Sequence, residues 1–384
     1  LYRDQNKPCG NIPTKEFRAL IKSFKDNQDV VEKNIEYKQE LQLYKTKSNA
    51  KDKAFREHSR VCNALKEYNK ALIEAIKKLK PITIKHESTN TSSCGMVQVS
   101  DAHFNELISI LGNQYDFKIA AKRLKRLAIK VKQYFKPFNI KNIALGFTGD
   151  MLNSDRRLDE LTNQATNRGN ASMLSFFLLQ QFILDLNQDF NILIITVSGN
   201  ESRVDKEQGF SDYVASNNYD ITIENMLKIA FKNSNGITFA SGDYCEKVVE
   251  IAGQNVLFIH GEGLAKGNTQ STIQQKIGAY ALKGIIIHYV VYGHVHCPNI
   301  SNHSARSASL GGSNDYNEKA LNLIGRASQN IFVFNNDGTR DAIVVDLQHT
   351  DNIEGYEIIK ELEAYNAKSA AKCHDNKVIF QVVV

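Results

Sequence analysis

Tryptophan is absent from this chain of 384 residues, and proline occurs only five times. Any stacking on a base or other planar ligand therefore falls to tyrosine or phenylalanine. The six cysteines, Cys9, Cys62, Cys94, Cys245, Cys297 and Cys373, contain no C-x-x-C pair. Their scatter excludes a compact disulfide framework, fits a reducing compartment and implies free thiols. No apolar run approaches the ~20 residues needed to cross a bilayer, and the polar N-terminus lacks the apolar core of a signal peptide. A cytoplasmic protein without membrane contact is the expectation. Leu1 stands where an intact reading frame would begin with methionine, so a fragment is also expected.

Acidic and basic residues nearly balance, with a net charge of +6, and 42% of residues are hydrophobic, enough for a sizeable core. Residues 1–90 form one expected region. No proline interrupts Thr14 to Lys80, and Val61, Leu65, Tyr68, Leu72, Ala75, Ile76 and Leu79 recur at helical spacing. That stripe must pack on a second helix, on the rest of the chain, or on another copy in a homo-oligomer. After a polar linker, residues 91–350 alternate strands with helices: strands over Met96 to Val99, Asn142 to Phe147 and Asn191 to Val197, helices over Phe117 to Phe135 and Ser172 to Leu186. This alternation predicts βαβ units and an α/β fold. Downstream, strands dominate, including Ile285 to Tyr292, which would bury His288 as a structural histidine. Residues 351–384 are expected to pack on this domain or extend it.

Five short segments follow apolar runs that read as strands: Asp101-Ala102-His103, Gly149-Asp150, Gly199-Asn200, His260-Gly261 and Gly293-His294-Val295-His296. Strand ends along one sheet edge can converge on a point. The converging donors would be imidazoles, carboxylates and one amide, a set suited to two divalent transition metals. On an extended backbone Asp101 and His103 would point to the same side, as would His294 and His296. A small residue before Asp150 leaves its carboxylate free to bridge two ions, and Asn200 offers a neutral oxygen. Singly, each motif reads as an ordinary turn or a hydrogen-bonded histidine. Together, in this order and each after a strand, they read as a dinuclear hydrolytic centre. Cys297, beside the last histidine, reads as packing.

These five segments resemble the motifs of the calcineurin-like metallophosphoesterase superfamily. The resemblance covers about Val97 to Leu347. It implies a four-layer αββα sandwich, with Asp101, His103 and His296 on one ion, Asn200, His260 and His294 on the other, and Asp150 bridging. It departs at Glu201, where such proteins usually carry a histidine. Glu201 would have to be protonated to serve as the acid, or would instead orient a ligating histidine; Arg203 would then bind the scissile phosphate.

Superfamily membership leaves the substrate open. The segments around Arg156-Arg157, Asn200-Glu201-Ser202-Arg203 and Gly312-Ser313-Asn314 are similar to phage-encoded metallophosphoesterases related to DNA repair exonucleases, with Arg157 and Arg203 as substrate-binding residues and a host cytoplasm as the place of action. Lys118, Lys122, Arg123, Lys125, Arg126, Lys130, Lys132 and Lys136 form a helix face with no acidic residue from Phe117 to Lys141. Such a face would attract DNA if it meets solvent. The expectation is a dinuclear, Mn2+-dependent DNA nuclease, with Mg2+, Fe2+ or Zn2+ as other candidate ions. A hydrolase of small phosphodiesters or monoesters is the alternative, and a scaffold with an idle site the third reading.

Overall fold

The computed structural model describes residues 93–205, 209–264 and 268–359, and scattered positions between 18 and 56. The chain divides into two units, Leu1–Lys80 and Pro81–Val384. In the first, the described positions, 37–49 and 51–53 among them, are helical and almost all exposed. The Val61 to Leu79 stripe, and with it the pairing of subunits, lies outside the described residues, as do Cys9, Cys62 and Cys373.

In the second unit the strands are β1 (Ser93–Val99), β2 (Ile108–Ile110), β3 (Asn113–Tyr115), β4 (Asn142–Phe147), β5 (Asn191–Thr196), β6 (Ile237–Phe239), β7 (Glu246–Ile251), β8 (Gln254–Ile259), β9 (Tyr289–Tyr292), β10 (Asn299–Ile300), β11 (Ser304–Arg306), β12 (Ser328–Asn335) and β13 (Arg340–Asp346). Two sheets carry the fold, in the orders β13-β12-β1-β4-β5-β6 and β10-β11-β9-β8-β7. Strands β1, β4, β5 and β6 run parallel, with Val97 opposite Leu145 and Leu145 opposite Ile194. In the second sheet β8 and β9 are parallel neighbours.

Period-two burial explains the layering. Met96, Ala144, Ile195, Phe332 and Phe334 of the first sheet pack on Val256, Phe258, Tyr289 and Val291 of the second. The residues between them, Val97, Leu145, Ile194 and Val333, are equally buried and point to the other face. Helices α1 (Phe117–Phe135), α2 (Arg168–Asn187) and α3 (Tyr219–Ala230) cover that face. Helix α4 (Thr269–Leu282) covers the second sheet, setting Ile273 against Leu257, Ile259, Val290 and Tyr292. The result is an αββα sandwich. Each large apolar side chain in these layers contributes about 2 kcal/mol through burial.

Local signals set the helix ends. The Asp116 carboxylate accepts the Ile119 N–H at 2.9 Å, capping α1, and Pro137 with Asn139 at φ 50° ends it. Asn167 caps α2 in the same way through Asn170. This places the start of α2 at Arg168, four residues before Ser172, because its polar first turn adds nothing to the apolar rhythm.

Two expectations are corrected here. Strand β9 begins at Tyr289, so His288 is exposed; its Nδ1 accepts the Asn255 N–H at 2.9 Å, a structural role at the surface. The basic face of α1 does not simply meet solvent. Arg123 is buried and donates to Leu310 O and Asn113 Oδ1, Lys125 and Lys132 pair with Asp185, and Arg126 donates to Asp346 O. After β13 the chain runs along the helices as far as it is described: Tyr356 donates to Asp185 at 2.7 Å and Glu357 N–H to Gln181 at 2.9 Å. Among the described residues no helix is long and apolar enough to cross a membrane.

Candidate metal centre

The parallel strands β1, β4 and β5 are neighbours, so the segments after them, with Asp101 and His103, Asp150, and Asn200, emerge side by side. From the second sheet, β8 delivers His260 and β9 delivers His294 and His296. Gln98 Nε2 of β1 donates to Tyr292 O of β9 at 2.8 Å, tying the two edges together, and within the second sheet Gly293 N–H donates to His260 O at 2.8 Å. All seven expected ligand residues meet at this edge, in two groups.

The first group is Asp101, His103 and His296, and the second is Asp150, His260 and His294. In the first, the Nε2 atoms of His103 and His296 stand 3.2 Å apart, and His296 Nε2 is 3.3 Å from Asp101 Oδ1. In the second, His260 Nε2 lies 3.0 Å from Asp150 Oδ2, 3.2 Å from His294 Nδ1 and 2.8 Å from Asn200 Oδ1. Asn200 thereby joins the second group.

These distances bear on whether an ion fits. Two ligand atoms each ~2.1 Å from one ion stand roughly 3.0–3.4 Å apart in octahedral to tetrahedral geometry. The His260 ring settles the polarity of the second group. Its Nδ1 is 2.8 Å from Thr148 O, a carbonyl that can only accept, so Nδ1 carries a hydrogen and Nε2 is the nitrogen that faces inward. Asn200 Oδ1, Asp150 Oδ2 and His294 Nδ1 surround Nε2, so once Nε2 gives up its proton the group presents a converging set of nitrogen and oxygen donors that fits a cation. In the first group His103 Nδ1 is buried without a hydrogen-bond partner. The residues fit two divalent ions, held by nitrogen and oxygen donors.

Electrostatics separate the groups. Burial and the neighbouring His296 push His103 down to about 4. Burial also disfavours the charged form of His260, yet Asp150 lifts it to about 10. Burial alone would raise Asp101 and Asp150, but the surrounding histidines hold both carboxylates below the ordinary range.

The backbone differs from the expected extended pairs. Asp101, His103, Asp150, His294 and His296 have φ of 49°, 43°, 56°, 73° and 61°, all left-handed. The i, i+2 residues are brought to their places by repeated left-handed turns, each costing ~1 kcal/mol for a side-chain-bearing residue. Asp101 and His103 do share one group, whereas His294 and His296 divide between the two. The tight turns demand glycine at close approaches. A Cβ on Gly199 would strike Asp150, and one on Gly293 would strike Ser100 and Asp101.

Glu201 occupies a position the expectations did not foresee. Its Oε1 accepts from Asn200 Nδ2 at 2.6 Å, and Arg156 approaches its Oε2 at 3.4 Å. It orients the Asn200 amide, turning Oδ1 inward, rather than a histidine. Burial and the Asp150 charge raise its pKa. Arg203 points into a separate cleft of about 490 Å³ that shares Gly199 and His260, where it pairs with Glu262 at 2.7 Å. Arg157 lines the larger cleft, about 790 Å³, with His103, Asp150, Asn200, His294 and His296; its guanidinium lies over the Tyr316 ring at 4.9 Å and pairs with Glu160. Cys297 is half-buried, its carbonyl accepting from Arg306.

No protein-family model matches this sequence, and no curated protein matches it. Among solved structures, similarity is found to Vps29 complexed with Zn2+ from Entamoeba histolytica (10% identity, 66% of this chain and 99% of that one, TM-score 0.27). It is also found to a predicted phosphoesterase from Streptococcus pneumoniae (11%, 66% and 98%, TM-score 0.27) and to a 5'-nucleotidase from Candida albicans (11%, 73% and 59%, TM-score 0.33). The chemistry of this chain rests on its own geometry.

Residues without a motif also build the centre. The Asn317 amide lies 3.0 Å from His296 Nδ1. Gln329 binds Ser100 N and O, fixing the approach to Asp101. Asp220 accepts main-chain N–H groups from two of the ligand loops. In the sequence Asp220 shows only as an acidic residue at the start of a helix.

Proposed function

We propose that this chain is a metal-dependent phosphoester hydrolase with two ions at the sheet edge. The observation that carries this reading is the convergence of nitrogen and oxygen donors in two groups, with His103 and His296 of one and Asp150 and His294 of the other lining the same open cleft. Two divalent ions held there would supply Lewis acidity toward a phosphoryl group and lower the pKa of water to near neutrality. The protein's part is positional. Thr148 O fixes the His260 tautomer, Glu201 aims the Asn200 oxygen, and the Asp150 carboxylate is anchored through Oδ1 by the Glu201 N–H at 2.7 Å.

The cleft wall favours a small phosphoester over DNA. Apart from the ligands it carries Glu106, Asp159, Glu160, Glu201 and Asp315 against Arg157 and Lys319, and both cations are already paired with its own acids. A polyanion gains little there. A Mn2+-dependent nuclease remains the second reading, favoured by the cleft's volume of about 790 Å³ and by Tyr316, 43% exposed beside Arg157, as a stacking surface.

Nitrophenyl phosphodiester, nitrophenyl phosphate and plasmid DNA, each offered with Mn2+, Zn2+ and chelator, separate these readings. Turnover of a nitrophenyl ester that chelator abolishes is expected, with DNA cleaved slowly or not at all. Asp150→Asn and His260→Ala should each lose at least ~100-fold in rate while keeping the wild-type circular dichroism. Wild-type turnover in both variants would end the reading.

A further inference from the structure

Asp220 is wholly buried in the first turn of α3 and touches no substrate-facing surface. Its carboxylate accepts the N–H groups of Asp150 at 3.0 Å, Met151 at 2.9 Å and Gly199 at 2.8 Å. Asp150 is left-handed, and successive N–H groups around such a residue form a concave, anion-binding cradle. Asp220 fills that cradle with a fixed internal anion. The same carboxylate therefore stabilises the strained turn at Asp150 and holds it against the loop that presents Asn200.

The neighbouring residues make this a clamp. Asn218 donates to Gly199 O at 2.9 Å and accepts the Asp220 N–H at 2.8 Å. Arg168 lies over the Tyr219 ring at 4.5 Å and donates to Glu201 O and Arg203 O. The first group draws on other partners: the His294 N–H donates to Asp101, and Asn317 contacts His296. Its loop does run beside the clamped one, with Asp101 N–H donating to Gly149 O and His103 N–H to Asp150 O.

We propose that Asp220 is the positioning residue of the second ion site, setting Asp150 and Asn200 as a pair and acting only weakly on the first. This rests on the two-ion reading above. The test is Mn2+ binding, counted by the electron paramagnetic resonance of free Mn2+, in two backgrounds that leave one site each: His103→Ala for the second site and His294→Ala for the first. Asp220→Asn, whose amide cannot accept all three N–H groups, should weaken the second site 10- to 100-fold and the first by no more than ~3-fold. Asn317→Ala should do the reverse. Equal weakening of both sites, or an unchanged second site, overturns the proposal. Where Asp220→Asn does not fold, Asn218→Ala carries the same comparison, with ~10-fold weakening confined to the second site expected and no change overturning it. An unsubstituted chain that binds fewer than two Mn2+ ions ends the two-ion reading and this one together; two ions with Asp220→Asn unchanged ends only this one.

Discussion

The two ligand groups use nearly the same residue types and differ in what surrounds them. In the first, every member has a left-handed backbone; in the second, Asp150 and His294 do, while His260 and Asn200 do not. The first opposes two imidazoles, and burial with His296 keeps His103 neutral at physiological pH. Each group also sets a carboxylate against an imidazole: despite burial, Asp101 raises His296 in the first, and Asp150 raises His260 in the second, to about 10 when no ion is bound. Donor identity therefore does not set the character of a site. Backbone strain and neighbouring charge do.

The sharpest way to break this comparison is to remove one histidine from each group. His103→Ala and His294→Ala should each retain one of two ions after dialysis, measured by metal analysis, and each should lower ester hydrolysis by ~100-fold or more. Retention of two ions by either variant would merge the groups into one.

A smaller effect is expected at Glu106, whose N–H donates to His103 O and whose carboxylate accepts from Asn314. Burial raises this carboxyl from 4.5 to about 7. Its folded-state pKa lies above the unfolded one, so its contribution to stability is complete below pH ~4.5 and lost as pH rises through ~7. Glu106→Gln cannot ionise. Urea melts in chelator should show the variant gaining on the wild type by on the order of 2–3 kcal/mol between pH 4.5 and 8. A constant difference across that range would remove Glu106 as a charge acting on the first group.

The smallest effect concerns strain. At His103, with φ 43°, glycine should be more stable than alanine by about 1 kcal/mol in thermal melts without metal. At His260, where the backbone is ordinary, glycine should be the less stable by roughly 0.5–1 kcal/mol. The same sign at both positions would mean that the left-handed turns cost nothing.

The layered fold and the seven donors were legible because each strand is a short apolar run and each donor follows one directly. The rest depends on long-range partners. Asp220 binds main-chain groups 70 and 21 positions away, and nothing in its own neighbourhood marks it. The basic face of α1 was legible as charge, but Asp185 and Asp189, which absorb part of it, lie on another helix and in the turn after it. The left-handed ligands were hidden for a different reason: Asp and His report no preference for φ > 0 strong enough to be seen against an extended reading. The pairing of Arg203 with Glu262 was hidden for the same reason as the role of Asp220, since the two lie 59 positions apart.

The donors come from the ends of β1, β4 and β5 on one sheet and of β8 and β9 on the other. A bound ion therefore spans the seam of the sandwich, and neither sheet alone could keep it. Any opening that parts the sheets must release the ion, so each site at a thousandfold excess over its dissociation constant adds about 4 kcal/mol against that opening. Metal supply would then govern how long the folded chain survives proteases as well as how fast it turns over.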